Sequence, residues 1–332
     1  MASLLSTSAS LPLPSAVKAL VRPNILALEP YRCARDDYEE GVLLDANENS
    51  FGPPLAAAER PVFGTGQVTE AAEAAEAAGV DLERYPDPHQ AKLKVLLAAL
   101  RGTRANQIAV GNGSDELIDL VMRIFCQPAS ADHIVTCPPT YGMYKVTARV
   151  NDVGIVEVPL LPETFQIDVD AVLAACTPDT KLMFLCSPGN PTARVLDAKD
   201  ILRVLDAPEF TGMVVVDEAY VDFAIQQQGK AQESGGASGG GQSFCNFVAM
   251  QERHPRLIVL QTLSKAWGLA GIRLGMLFAH EAVAQVVNNV KAPYNVNKLT
   301  SRVARQAVAT GQARLAENLA QIVTERARVS AA

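Results

Sequence analysis

Three observations predict an α/β fold with a wide, mostly parallel central sheet. Several strand-length windows carry continuous apolar runs: Lys181-Leu-Met-Phe-Leu-Cys186, Gly212-Met-Val-Val-Val216 and Leu257-Ile-Val-Leu260. Runs of that kind fit strands covered on both faces, not strands with one wet side. Helical periodicity lies between the runs. Leu117, Leu120, Val121, Ile124 and Phe125 fall on one face of a helix. The runs also end in turn-forming residues, as at Val110-Gly-Asn-Gly113 and Ser187-Pro-Gly-Asn190.

The elements follow in chain order. Residues 1–20 are Ser-rich and carry no Lys or Arg before Lys18, so they read as a disordered segment and not as an Arg-rich transit peptide. Leu93 to Leu100 is apolar at helical spacing, and Gln107 to Gly111 is a short strand. His133-Ile-Val-Thr-Cys137 and Gly154-Ile-Val-Glu-Val158 add two strands, while Asp197–Leu205 and Glu281–Val290 read as helices. From Lys298 the pattern is helical to Val329. Two segments interrupt it. Ala71–Ala78 is Ala/Glu-rich, a surface helix or an insertion, and 226–242 is a Gly/Ser-rich flexible loop too polar to bury.

Composition narrows the function classes. The chain has 332 residues, 48% hydrophobic and 20% charged, enough for one large domain plus a smaller one. The net charge is −7 with no dominant basic block, which argues against a nucleic-acid surface. No apolar stretch reaches the roughly 18 residues of a membrane span. Cysteines at 33, 126, 137, 176, 186 and 245 form no C-x-x-C pair, and the four histidines show no metal spacing. Reduced thiols in a cytoplasmic protein without a metal centre are the expectation.

Five windows carry chemistry, each just beyond a strand, where an α/β sheet presents its ligands. In Thr262-Leu-Ser264-Lys265, with Arg273 eight residues on, hydroxyls and a guanidinium surround an amine. An anion held beside a nucleophile is what pyridoxal phosphate requires. Gly111-Asn-Gly113-Ser114-Asp115-Glu116 is either an anion cradle at a helix N-terminus or a plain capped helix. Tyr141, after Pro138-Pro139, either stacks on a flat ligand or only packs. Asn190 precedes Pro191, is biased toward extended backbone and either faces a ligand or closes a turn. Asp217 ends a buried strand, three residues before Tyr220. It suits a protonated ring nitrogen, a helix cap or a metal, and no G-x-x-x-x-G-K-[ST] accompanies it to make a nucleotide triphosphatase.

Taken together, these windows resemble the fold-type-I pyridoxal phosphate aminotransferases, and within them the histidinol-phosphate aminotransferase family. Leu44-Asp-Ala-Asn47-Glu-Asn49, Tyr85-Pro-Asp-Pro88, Gly113-Ser-Asp-Glu116, Pro139-Thr-Tyr141-Gly-Met-Tyr144 and Thr262-Leu-Ser-Lys265-Ala carry the likeness. It runs from about Val21 to about Thr310, and Val21-Arg-Pro-Asn-Ile-Leu-Ala-Leu-Glu-Pro-Tyr31 is similar to the fungal branch.

The resemblance implies a transaminase of the ping-pong kind that acts on L-histidinol phosphate and glutamate/2-oxoglutarate. Lys265 would be the Schiff-base lysine, with Asp217 and Tyr220 catalytic beside it. Cofactor contacts would come from Ser114, Asp115, Glu116, Tyr141, Asn190, Asp217, Tyr220, Thr262, Ser264 and Arg273. Tyr31 and Asn47 would touch substrate, and Tyr85 would reach across a homodimer interface. The implied layout is an arm at 21–45, a large domain at 46–295 and a linking helix from 296 into a small domain that is incomplete here.

Two departures stand out. Ala193 occupies a position that is usually Gly after Asn-Pro-Thr. The family's C-terminal arginine also has no counterpart, and Arg302, Arg305, Arg314, Arg326 and Arg328 lie outside its motif. The expectation is a chain that binds cofactor better than it turns over substrate. The rival readings are a threonine-phosphate decarboxylase-like enzyme and a truncated, inactive remnant.

Overall fold

The computed structural model describes residues 47–49, 51–55, 84–226 and 246–331. The arm with Tyr31, the 71–78 stretch and all but the first residue of the 226–242 loop lie outside the described residues.

Seven strands among the described residues form one sheet. They are β1 (Ile108–Asn112), β2 (His133–Thr136), β3 (Gly154–Glu157), β4 (Thr180–Cys186), β5 (Met213–Asp217), β6 (Leu257–Thr262) and β7 (Leu274–Ala279). Their spatial order is β1-β7-β6-β5-β4-β2-β3. Strands β2 to β6 pair in parallel, and β7 runs antiparallel to both β6 and β1. The sequence pattern did not single out β7, although Leu274-Gly-Met-Leu-Phe-Ala279 is as apolar as its neighbours. It follows the lysine window so closely that it reads as part of that turn.

Eight helices with defined bounds flank the sheet: α1 (Ala91–Arg101), α2 (Gly113–Phe125), α3 (Met143–Val150), α4 (Val169–Ala174), α5 (Ala198–Asp206), α6 (Glu281–Val290), α7 (Lys298–Thr310) and α8 (Gln312–Ser330). Successive strand residues feed opposite cores, as the period of two requires. Val214 and Val216 pack with Leu97, Ile201 and Ala304 on one face. Val215 packs with Leu117, Ile118, Tyr144 and Val287 on the other. The result is helix, sheet, helix, with β4 covered on both sides. On α2 the buried stripe includes Ile118 and Met122, whereas Ile124 and Phe125 are only partly covered.

The long helix predicted from Lys298 is two helices. Gly311 separates them, and a Cβ there would meet the Pro54 and Ala307 carbonyl oxygens, both at 2.6 Å. The 51–55 segment therefore seats against the joint, where only glycine leaves room.

Candidate active site

The parallel strands all end on one edge of the sheet, which gathers Thr136, Cys186, Asp217 and Thr262 on that side. Strand β1 ends there as well and β7 starts there, so Ser114 and Arg273 join the same edge. The contact is close: Gly113 N–H donates to the Arg273 carbonyl at 3.0 Å. Gly113 has φ +77°, and a Cβ on it would lie 2.5 Å from Arg273 Nη2. Arg273 itself sits at φ 51°. A non-glycine residue in the left-handed region is strained, and such strain concentrates at ligand sites.

One cavity is lined by every predicted cofactor contact except Glu116, with Cys186 and Ala219 added. Glu116 does not line this cavity. Its carboxylate turns back to accept the Asn112 N–H and the Asn295 amide at 3.0 Å, and so it ties the turn to the rest of the fold. An acid in the first turn of a helix has the same signature whether it faces a ligand or closes a turn.

Within the cavity, the Tyr141 hydroxyl donates to Asp115 Oδ1 at 2.9 Å, and Arg273 Nη2 lies 3.5 Å from Asp115 Oδ2. Thr262 donates its hydroxyl to the Leu274 carbonyl at 2.8 Å, with Ser264 Oγ 2.9 Å away. Lys265 is half-buried, and its Nζ stands 5.8 Å from the centre of the Tyr220 ring. Burial lowers the pKa of this amine, and the Arg273 charge lowers it further, against Glu48, Asp115 and Asp217. Asp217 is 3% exposed. Burial pushes its carboxyl up, and hydrogen bonds from Tyr144 (2.6 Å) and the Ala219 N–H (3.1 Å) oppose that rise.

Tyr144 is the site residue that sequence reasoning missed. It lies three positions after Tyr141, on the same turn of chain, but only the fold shows that it reaches Asp217, 73 residues away.

A second cavity of about 540 Å³ opens beside the first and shares Asn190 and Tyr220 with it. Asn47, Phe51, Ile322 and Arg326 also line it. Asn47 donates to the Tyr220 hydroxyl at 3.1 Å, so this predicted substrate residue stands at the junction. Arg314 instead donates to the Leu55 carbonyl, and Arg328 pairs with Glu325. Tyr85 lines neither cavity; it is 79% exposed and stacks on Tyr294 with ring centres 4.5 Å apart.

Pyridoxal phosphate needs an amine, an anion cradle and a carboxylate for its ring nitrogen. The residues fit. Asp217 is a buried carboxylate facing a cavity, and among the described residues no ion pair neutralises it. Ser114, Ser264 and Arg273 supply the polar cradle in the same cavity.

The family model for class I and II aminotransferases matches residues 41–332. A histidinol-phosphate aminotransferase from Candida maltosa is 41% identical, over 93% of this chain and 75% of its own length. The Saccharomyces cerevisiae histidinol-phosphate aminotransferase is 40% identical, over 93% and 74%. Among solved structures, a histidinol-phosphate aminotransferase from Sinorhizobium meliloti in complex with pyridoxal-5'-phosphate superposes with a TM-score of 0.72 at 24% identity, covering 93% of this chain and 76% of that one; this likeness bears on the fold. The chain belongs to the class I and II aminotransferases, enzymes that work with pyridoxal phosphate, and within them to the histidinol-phosphate aminotransferase family.

Proposed function

We propose that this chain transfers the amino group between L-histidinol phosphate and 2-oxoglutarate, giving imidazole-acetol phosphate and glutamate, in histidine biosynthesis. The observation that carries the reading is Lys265 and Asp217 lining one cavity with the Ser114, Ser264 and Arg273 cradle. The names of the 40–41% identical relatives support the choice of substrate.

When bound, pyridoxal phosphate supplies an aldehyde for the amino group and a ring that withdraws electrons from the substrate's Cα. The residues of this chain supply the rest. Ser114, Thr262, Ser264 and Arg273 would hold the phosphate, with the N-terminus of α2 adding backbone N–H groups and the favourable end of its dipole. Tyr141 would cover the ring face, and Asn190 and Tyr220 would orient the ring from the side of the larger cavity. Asp217 would hold a proton on the ring nitrogen. Lys265 Nζ, which burial makes easier to deprotonate, would take the proton from the substrate's Cα. Asn47, tied to Tyr220, would meet the substrate as it enters the 540 Å³ cavity. Tyr31 belongs to the same proposal by family likeness, although it lies outside the described residues.

We also read the chain as a cytoplasmic homodimer in which the exposed Tyr85 meets the second copy. Among the described residues no helix is long and apolar enough to cross a membrane.

The test is a coupled assay of the purified chain with histidinol phosphate and 2-oxoglutarate, set against aspartate and phosphothreonine as alternatives. Turnover of histidinol phosphate above both is the expected result. Decarboxylation of phosphothreonine without transamination would contradict the reading.

A further inference from the structure

Tyr144 enters the site from α3 and is fully buried, its ring stacked on Phe184 with centres 4.7 Å apart. Its hydroxyl donates to Asp217 Oδ2 at 2.6 Å, while Asp217 Oδ1 accepts the Ala219 N–H at 3.1 Å. Burial and the Asp217 charge push the phenol well above its ordinary value, which keeps Tyr144 a proton donor throughout the working range. The other groups around Asp217 do not substitute for it. Cys186 is a neutral thiol, pushed up to about 12, and Asp115 and Lys265 act on Asp217 only through space, with opposite signs.

We propose that Tyr144 is a positioning residue that keeps Asp217 ionised and thereby holds the shared proton on the cofactor's ring nitrogen. The proposal rests on the reading that Asp217 faces that nitrogen.

Asp217 and the ring nitrogen would compete for a single proton. A carboxylate and a pyridine nitrogen in a dry site share it, and the side better stabilised in its proton-bearing arrangement keeps it. Each donor to the carboxylate favours the charge-separated form, in which nitrogen carries the proton and oxygen the negative charge. Removing the phenol leaves the Asp217 carboxylate with one donor among the described residues, the Ala219 N–H. The proton then moves from nitrogen to the Asp217 oxygen, and no other bond changes. A neutral ring nitrogen withdraws electrons less strongly, so the Cα proton becomes harder to remove. Tyr144 is fully buried and lines neither cavity, so affinity for the substrate is left alone. A tyrosine with a merely structural role would not produce that pattern.

Tyr144→Phe deletes one oxygen and retains the ring on Phe184. The experiment loads wild type, Tyr144→Phe and Asp217→Asn with pyridoxal phosphate labelled with ¹⁵N in the ring. It records the ¹⁵N NMR signal together with kcat and KM. The expected result is a pyridinium-like signal in wild type that moves toward the pyridine position in Tyr144→Phe, with kcat reduced about tenfold or more and KM within about twofold. If Tyr144→Phe does not fold, p-aminophenylalanine in place of Tyr144 keeps a weaker donor there. An intermediate signal then supports the proposal, and an unmoved one overturns it. A pyridinium signal that Asp217→Asn moves but Tyr144→Phe leaves in place, with kcat unchanged, overturns the role of Tyr144 alone. A wild-type signal that is pyridine-like and indifferent to Asp217→Asn overturns the Asp217 pairing beneath it.

Discussion

Asn47 donates its side-chain amide to the Tyr220 hydroxyl at 3.1 Å, across 173 residues of sequence. This bond joins the 47–55 segment to the cavity that holds Lys265. Neighbouring contacts reinforce it: Asn49 donates to the Ala266 carbonyl at 2.8 Å, and Pro54 seats against Gly311.

Asn47 sits at φ 51°, so the choice of replacement matters. Alanine there would add left-handed strain to the loss of the amide. Asn47→Gly removes the side chain and its amide without adding that strain. One neutral hydrogen bond is worth about 0.5–1.5 kcal/mol, so kcat/KM for the amino donor should fall by roughly 3- to 10-fold, with the fold intact by circular dichroism. Unchanged kcat/KM would remove Asn47 from the site.

The lowered pKa of Lys265 has a kinetic signature. Only the neutral amine attacks an aldehyde, and burial with Arg273 beside it enlarges that fraction below the ordinary 10.5. The rate at which apoprotein captures pyridoxal phosphate should rise with pH and level off at a midpoint below 10.5. Stopped-flow absorbance across pH 6–11 measures it, and a midpoint at the ordinary lysine value would contradict the environment described.

Glu218 links stability to pH. It is fully buried, and burial raises its carboxyl to about 7 against hydrogen bonds from Gln261 and the Phe247 N–H. Between the ordinary value near 4.5 and about 7, the folded chain holds a proton that the unfolded chain has released. Stability therefore falls as pH rises through that window, by at most about 3 kcal/mol. Glu218→Gln should flatten the dependence. Its new amide can donate to Gln261 Oε1 once that side chain turns over, and Gln261 Oε1 has no partner among the described residues. Urea midpoints at pH 5, 6 and 7 for both proteins check this. Parallel slopes would show that Glu218 is not the titrating group.

Ala193 tests the cost of a departure from the family pattern. It lies at φ 53°, where a glycine would be unstrained. Ala193→Gly relieves left-handed strain of about 1–2 kcal/mol, and a more flexible unfolded chain offsets part of that. The net expectation is a gain of about 0.5–1 kcal/mol, read as a higher urea midpoint at unchanged slope. A loss of stability would mean that the neighbouring chain has adapted to the methyl group.

The sheet was legible because its strands are buried on both faces, and a continuous apolar run as short as Leu182–Cys186 suits a buried strand better than a helix. The strand ends were legible for the same reason. Asp217 and Lys265 each follow such a run, and polar residues there face the ligand edge. Residues whose meaning depends on a distant partner were not legible. Tyr144 has the composition of an ordinary core tyrosine until Asp217 is placed beside it, and Glu116 reads the same whether it faces a ligand or Asn295. The break at Gly311 hid within a helical pattern, because the chain packed against it, at Pro54, lies more than 250 positions earlier. Arg326 reached the larger cavity's wall through the path of α8, which no local motif records.

The most direct test of the central claim is to find which lysine holds the cofactor. The loaded protein is treated with borohydride, digested and mapped by mass spectrometry. Two other lysines are plausible competitors on chemical grounds alone. Lys94 has its pKa lowered to about 8, and that of Lys291 is lowered as well, both chiefly by burial. Their ammonium groups, however, bind Asn288, Pro88 and Asn295, away from the Lys265 cavity. The predicted result is covalent pyridoxal phosphate on the peptide containing Lys265 and none after Lys265→Ala. Label on Lys94 or Lys291, or an undiminished yield after Lys265→Ala, would contradict it.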